Sequence, residues 1–235
     1  MNSAACSYPG RELYTFAQAR NWKRYWAGQI ATYVGPSVLE VGAGIGSNTV
    51  LLARHATTWL CLEPDPVLAG QIGHCIEDIG SVDCRVVVGT LDDVARNDRF
   101  DTILYLDVLE HILDDRAELE NAASRLAKGG YLVVLCPAYQ WLFSPMDAAV
   151  GHHRRYSRKG LVRLSPPGLV LRGARYLDSV GILASFSNRW ILRAPTPSRA
   201  QILVWDRMMV PLSFRLDRLV RFGFGKTVLA VWQKP

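Results

Sequence analysis

The sequence predicts an α/β fold built on a mostly parallel, doubly wound sheet of seven strands. Short apolar runs alternate with helical stretches, which is how crossover helices lay strands side by side in parallel. The first of these runs ends in a glycine cluster that opens a helix. The 235 residues, 49% apolar and 20% charged, suffice for one core with an appendage and exclude a disordered or disulfide-stapled chain.

Taken in order, Leu13, Phe16, Ala19, Trp22, Trp26, Ile30 and Tyr33 recur at steps of three and four, so residues 11–33 read as one amphipathic helix. Trp22, Tyr25 and Trp26 belong to its packed face. Pro36 stops it, and residues 37–41 form the first strand. Ser47, Asn48 and Thr49 offer capping oxygens to a helix running to Arg54. The rhythm continues with a strand at 58–62, a helix at 65–79, and strands at 84–88 and 100–106. Asp114 or Asp115 caps the next helix, Lys128 occupies its last turn, and Gly129-Gly130 provides its exit. An apolar strand follows at 131–136. Beyond it lie a loop, a short helix capped by Ser157, a strand at 169–177, a helical stretch at 178–222 that Pro211 kinks or divides, and a last strand at 227–232.

Charge is unevenly placed. Residues 1–149 hold 11 Lys+Arg and 18 Asp+Glu, whereas residues 150–235 hold 16 and 3, so net charges of −7 and +13 make up the total of +6. A basic third of this kind attracts phosphates, acidic small molecules, anionic lipid or nucleic acid. Cys6, Cys61, Cys75, Cys84 and Cys136 are odd in number, lack CxxC spacing and read as reduced core residues. The pair His152-His153 has no cysteine at ligand spacing, so no metal site is expected. With no apolar run long enough to span a bilayer and no signal-peptide pattern, the cytoplasm is the expected compartment.

Chemistry concentrates at Glu40-Val41-Gly42-Ala43-Gly44-Ile45-Gly46, between the first strand and a helix. Glycines there let the backbone turn tightly and approach a ligand. Dinucleotide enzymes use GxGxxG, but Ser47 stands where the third glycine of that pattern would be, and the spacing here is GxGxG. With an acid two positions before it, the segment resembles motif I of the class I S-adenosylmethionine-dependent methyltransferases. Leu62-Glu63-Pro64-Asp65 and Leu106-Asp107-Val108-Leu109-Glu110-His111 resemble that family's next two segments.

The resemblance implies a Rossmann-like core whose last strand is antiparallel, with S-adenosylmethionine as methyl donor and S-adenosylhomocysteine as product. It implies Glu40, Gly42, Ala43 and Gly44 around the donor's amino-acid part, and Glu63 and Pro64 at the ribose. Asp107 runs beside the methionine part. After the third strand the family usually shows Gly-Asp, whereas this chain has Gly89-Thr90, which leaves the adenine to the Leu91 amide, the Thr90 hydroxyl and Asp92. Tyr14 would help cover the donor. The chain then divides into an N-terminal helical lid (1–36), a core (37–177 and 225–235) and a helical cap (178–224).

His152 and His111 are the candidate general bases, one in the run Gly151-His152-His153-Arg154-Arg155-Tyr156-Ser157, the other near the donor's methyl end. Arg154, Arg155 and Arg158 read as a clamp for an acidic acceptor or as a solvated charge run. The acceptor expected is a small molecule, or a lipid- or glycan-linked one. Trp190, Ile191, Trp205, Met208 and Met209 among arginines suit peripheral contact with a membrane. Nucleic acid is not expected, since no base-methylation motif or RNA-binding module is present. The competing readings are an RNA or other nucleic-acid methyltransferase that uses the basic third for phosphates, then a non-catalytic cofactor-binding protein and a dehydrogenase.

Overall fold

A computed structural model describes residues 11–76, 80, 82–192 and 197–235. Its sheet has seven strands: β1 (Ser37–Val41), β2 (Thr58–Glu63), β3 (Asp83–Val88), β4 (Phe100–Leu106), β5 (Leu126–Pro137), β6 (Val170–Leu177) and β7 (Thr227–Gln233). They lie in the order β3-β2-β1-β4-β5-β7-β6. The first five are mutually parallel, and β7 runs antiparallel to both β5 and β6, as expected for the last strand.

Both faces of the sheet are covered, so the central strands are apolar throughout and their side chains alternate between two cores. On β4, Leu104 and Leu106 enter one core while Ile103 and Tyr105 enter the other. On β7, Leu229 and Val231 face the first, and Val228, Ala230 and Trp232 the second. The second core includes residues from α5 (Asp115–Ser124) and α7 (Arg158–Val162). The first takes α2 (Arg20–Ile30), α4 (Pro66–Ile76), α9 (Arg199–Val204) and α10 (Val210–Leu219).

The N-terminal segment is two helices, α1 (Arg11–Ala17) and α2, rather than one. The break at Gln18-Ala19 has a tertiary cause. Buried Asp206, from the far end of the chain, accepts from the Trp22 amide at 2.8 Å and from the Asn21 amide at 3.3 Å, and so caps the first turn of α2 with a negative charge. Tyr25 reaches the Asp217 carboxylate at 2.6 Å, and Asp217 also accepts from the amides of Asp178 and Ser179. The N-terminal helix α2 and the helical stretch at 178–222 are therefore pinned to each other and share a core with the sheet.

The helix at 49–54 shortens to α3 (Thr49–Leu52) with a 3-10 turn after it, and no side chain caps it. Between Ser124 and Leu126 the chain passes directly from helix to strand, so Lys128 and Gly129-Gly130 belong to β5 and not to a helix end. Leu126 pairs with Phe100 and Tyr131 with Thr102, so the intervening residues bulge out of the ladder. Gly129 sits at φ 81°, and a side chain on Gly130 would meet the carbonyl oxygens of Ala127 and Asp101 at 3.0 Å. Pro211 does not divide its helix. The chain runs from α9 through a π-helical turn (Trp205–Met209) into α10, with Pro211 in the first turn, where its missing N–H costs least.

Cys61 and Cys136 are buried and Cys84 half-buried, all unbridged, while Cys6 and the Cys75 side chain lie outside the described residues. Among the described residues no helix is long and apolar enough to cross a membrane.

Candidate active site

The ends of β1, β2 and β4 meet where the strand order reverses, the place where open α/β sheets leave a crevice for ligands. The chain leaves β1 through Gly42, Gly44 and Gly46 at φ 67°, 59° and 77°, a left-handed conformation that side chains resist. At Gly42 the restriction is double, because a Cβ would stand 2.6 Å from the Val108 side chain. The Ala43 amide donates to the Leu62 carbonyl at 2.9 Å and ties the loop to the end of β2.

Glu63 closes β2, nearly buried. Its Oε2 accepts from the Gly44 amide at 2.8 Å and its Oε1 from the Asp65 amide at 3.0 Å. Burial pushes the carboxyl up, and the two backbone N–H groups draw it back. Each oxygen retains a second lone pair, so the carboxylate can still accept from two hydroxyls. Pro64 lies exposed in the turn beside it, and Asp65 caps α4 by accepting from the Val67 amide at 2.8 Å.

Glu40 points across the sheet into the first core. Its Oε2 accepts from Thr49 Oγ1 at 2.6 Å and Trp59 Nε1 at 3.0 Å, while Oε1 is buried without a partner. Burial pushes its carboxyl up to about 7. Lys23 of α2 lies nearby, donating to Ser47 Oγ at 2.6 Å and Asn48 Oδ1 at 2.9 Å, with its pKa brought down to about 8 by burial. Ser47 and Asn48, expected as helix caps, are thus taken by a lysine from the N-terminal helix.

After β3, Thr90 is engaged locally: its amide donates to Asp93 at 2.8 Å and its hydroxyl faces the same carboxylate at 3.4 Å. Asp92 accepts from Asn121 at 3.1 Å, and Leu91 is buried at the start of a 3-10 turn. Asp107 leaves β4 at φ 58° with its face open to water. Tyr14 is half exposed and hydrogen-bonded to Gln71.

His111 and His152 come together, their rings 4.6 Å apart and nearly perpendicular. His152 Nδ1 lies 2.9 Å from Asp147 Oδ1, and Asp147 is in turn gripped by Arg155 through two bonds of 2.8 Å and by the Ser144 amide and hydroxyl. Those bonds, opposing burial, hold Asp147 well below the usual carboxylate range. Burial and the neighbouring His152 charge lower His111 to about 4, so it is neutral at pH 7. The arginines of the run form no open clamp. Arg154 bonds Asp115 at 2.9 Å, Arg155 is spent on Asp147, and Arg158 lies over the Tyr176 ring.

The chain matches a family model described as a methyltransferase domain over residues 8–174. It belongs to that family. Among curated relatives, it is 28% identical over 134 residues to a demethylmenaquinone methyltransferase of Tropheryma whipplei, covering 57% of this chain and 55% of that one. It is 34% identical over 102 residues to a ubiquinone biosynthesis O-methyltransferase of Xanthomonas euvesicatoria, covering 42% and 41%. The matched region thus spans about half the length of these relatives. The N-methyltransferase NodS of Bradyrhizobium japonicum, solved with S-adenosylhomocysteine, superposes with a TM-score of 0.56 at 14% identity, over 98% of this chain and 90% of that one.

Family membership bears out the methyltransferase reading and, with it, S-adenosylmethionine as the donor. The residues of this methyltransferase domain fit such a group. Gly42, Gly44 and Gly46 bring bare backbone beside a paired-acceptor carboxylate at Glu63. Sequence reasoning missed Lys23 and Asp147. Lys23 carried no signal beyond its position on a helix, whereas Asp147 lies in a capping pattern with Ser144 just before the histidines.

Proposed function

We propose that this methyltransferase domain moves a methyl group from S-adenosylmethionine to a hydroxyl or amine of a small acceptor. The observation that carries the reading is Glu63, held by the Gly44 amide beside three left-handed glycines. The bound donor supplies an electrophilic methyl on a sulfonium. The chain's own residues hold, orient and accept a proton. Glu63 accepts from the ribose hydroxyls, and Gly42, Ala43 and Gly44 bring backbone against the amino-acid part. Glu40 and Lys23 set the charge behind the loop, and Asp107 lies along the methionine chain. Leu91, with Thr90, borders the adenine, and Pro64 flanks the ribose.

Most of the rate comes from placing the acceptor in line with the methyl, and a base within hydrogen-bond reach adds about 10² to 10⁴. The cluster of His152, His111 and Glu110 is where the acceptor's proton goes, with His152 oriented by Asp147. The relatives' names favour a quinone-type ring as acceptor.

A lipid-linked acceptor met at a membrane surface is the second reading, with a glycan-linked one beside it. All three acids of the basic third, Asp178, Asp206 and Asp217, are buried, which leaves its surface to the cations. Leu183, Phe186, Trp190 and Met208 are exposed there. Trp205, expected on that surface, is instead buried under Lys226 and against Trp22, and Met209 packs against the core. Calorimetry tests the donor: S-adenosylhomocysteine should bind one to one and NAD should not. The reverse outcome makes the domain a dehydrogenase-like binder and ends the proposal.

A further inference from the structure

Glu110 and His111, in the 3-10 turn Leu109–His111, meet His152 from the segment after α6 (Pro145–Ala149), and one ligand atom from each lies within 4.8 Å of the others. We propose that these three side chains bind a divalent transition-metal ion of zinc-like character beside the methyl-donor pocket.

Glu110 makes the first argument. Its side chain is 0% exposed, and neither carboxylate oxygen receives a hydrogen bond from a neighbouring residue. A bare carboxylate in such surroundings costs several kcal/mol unless a cation or a proton compensates it. His152 Nε2 lies 3.7 Å from Glu110 Oε1, too far for a hydrogen bond. That separation is near the edge between two ligands of one tetrahedral ion, each bonded at about 2.0–2.2 Å.

The second argument is the outer layer. Metal-bound histidines are held through their other ring nitrogen by a carboxylate or a backbone carbonyl. Here His152 Nδ1 is on Asp147, and the Gly151 backbone hydrogen-bonds the His111 ring. Backbone bonds stitch the two segments together: the His153 amide donates to the Glu110 carbonyl at 2.9 Å and the His152 amide to the Asp147 carbonyl at 2.8 Å. Asp147, 1% exposed and clasped by Arg155, cannot swing away. The three ligands are therefore presented by a preformed frame. Two imidazoles and one carboxylate leave a fourth position for water or an oxygen ligand, the pattern of an open zinc-type site.

The role of the ion rests on the methyl-transfer reading. Charge on an acceptor hydroxyl lowers its pKa. With the ion bound, His152, His111 and Glu110 serve as ligands in place of accepting the proton: the O–H proton leaves to solvent, the O–CH₃ bond forms as the C–S bond breaks, and the ion keeps its oxidation state.

The test uses the full chain, stripped with a chelator and titrated with Co²⁺ alone, followed by visible d–d absorption and by calorimetry. One ion per chain should bind, with the intense bands of a low-symmetry N/O site. Glu110→Gln and His152→Ala should each abolish saturable binding, and Asp147→Asn should weaken it about 10- to 100-fold. Circular dichroism identifies any variant that fails to fold, and His111→Gln is the replacement. Absence of saturable binding to the wild type, or binding undisturbed in both ligand variants, overturns the proposal and leaves a protonated, neutral Glu110 as the sufficient account. S-adenosylhomocysteine affinity, measured on the same samples, reports on the donor pocket separately. Co²⁺ binding without it keeps the metal site and removes the methyl-transfer role.

Discussion

Replacing Glu63 with alanine should weaken S-adenosylhomocysteine binding by roughly 10²- to 10⁴-fold. The figure comes from what the carboxylate has left to offer. Each oxygen already holds one backbone N–H, from Gly44 at 2.8 Å and Asp65 at 3.0 Å, so each has one lone pair for a ribose hydroxyl. A hydrogen bond to a charged acceptor contributes about 1.5–3 kcal/mol, two contribute about 3–6, and 1.4 kcal/mol is a factor of ten. The substitution also frees the Gly44 amide and loosens the loop, so the methionine end of the ligand loses affinity as well.

Calorimetry with S-adenosylhomocysteine and its 2′-deoxy analogue separates these contributions. Wild-type protein should prefer the hydroxylated ligand, and Glu63→Ala should show no preference. Burial raises the Glu63 carboxyl, and protonation removes an acceptor, so affinity should fall as pH drops through its raised pKa. An alanine variant that binds about as tightly as wild type, or that keeps the 2′-hydroxyl preference, refutes the ribose assignment.

Gly42→Ala should destabilise the protein by about 2–5 kcal/mol, from about 1–2 for a left-handed residue and about 1–3 for overpacking Val108. In urea melts, adding Val108→Ala should recover the packing part alone. The Glu40 carboxyl rises from 4.5 to about 7 on folding, so native protein binds a proton that the unfolded chain has released. That contribution is fully present below pH 4.5 and lost as pH rises to about 7, a change of roughly 3 kcal/mol, and Glu40→Gln should flatten this slope in melts across that range. Vesicles of anionic lipid should co-sediment the chain at low salt, less so after Trp190→Ala or Met208→Ser. Failure to sediment wild-type protein retires the membrane reading.

Much of the architecture was legible because local physics writes it plainly. Apolar runs bounded by turn residues marked all seven strands, and the glycine spacing after β1 marked a backbone that must turn left-handed three times within five residues. The acid closing β2 was legible for the same reason, since strand ends are visible from pattern. The β5 start was misplaced because a helix exit and a sheet bulge both call for glycine at Gly129-Gly130, and only pairing with β4 separates them.

Other features belong to the assembled fold. Asp206 caps α2 across 184 positions of sequence, Lys23 rather than first-turn N–H groups engages Ser47 and Asn48, and Arg154 and Arg155, read as a clamp or a solvated run, are bound to Asp115 and Asp147. The chain alone determined where the backbone bends and which stretches are apolar, since both are properties of neighbours along it. Only the packed molecule decided which charges meet and which buried carboxylate, Glu110, is left facing two imidazoles. Burial and pairing are set by residues distant in the chain, and periodicity carries no record of them.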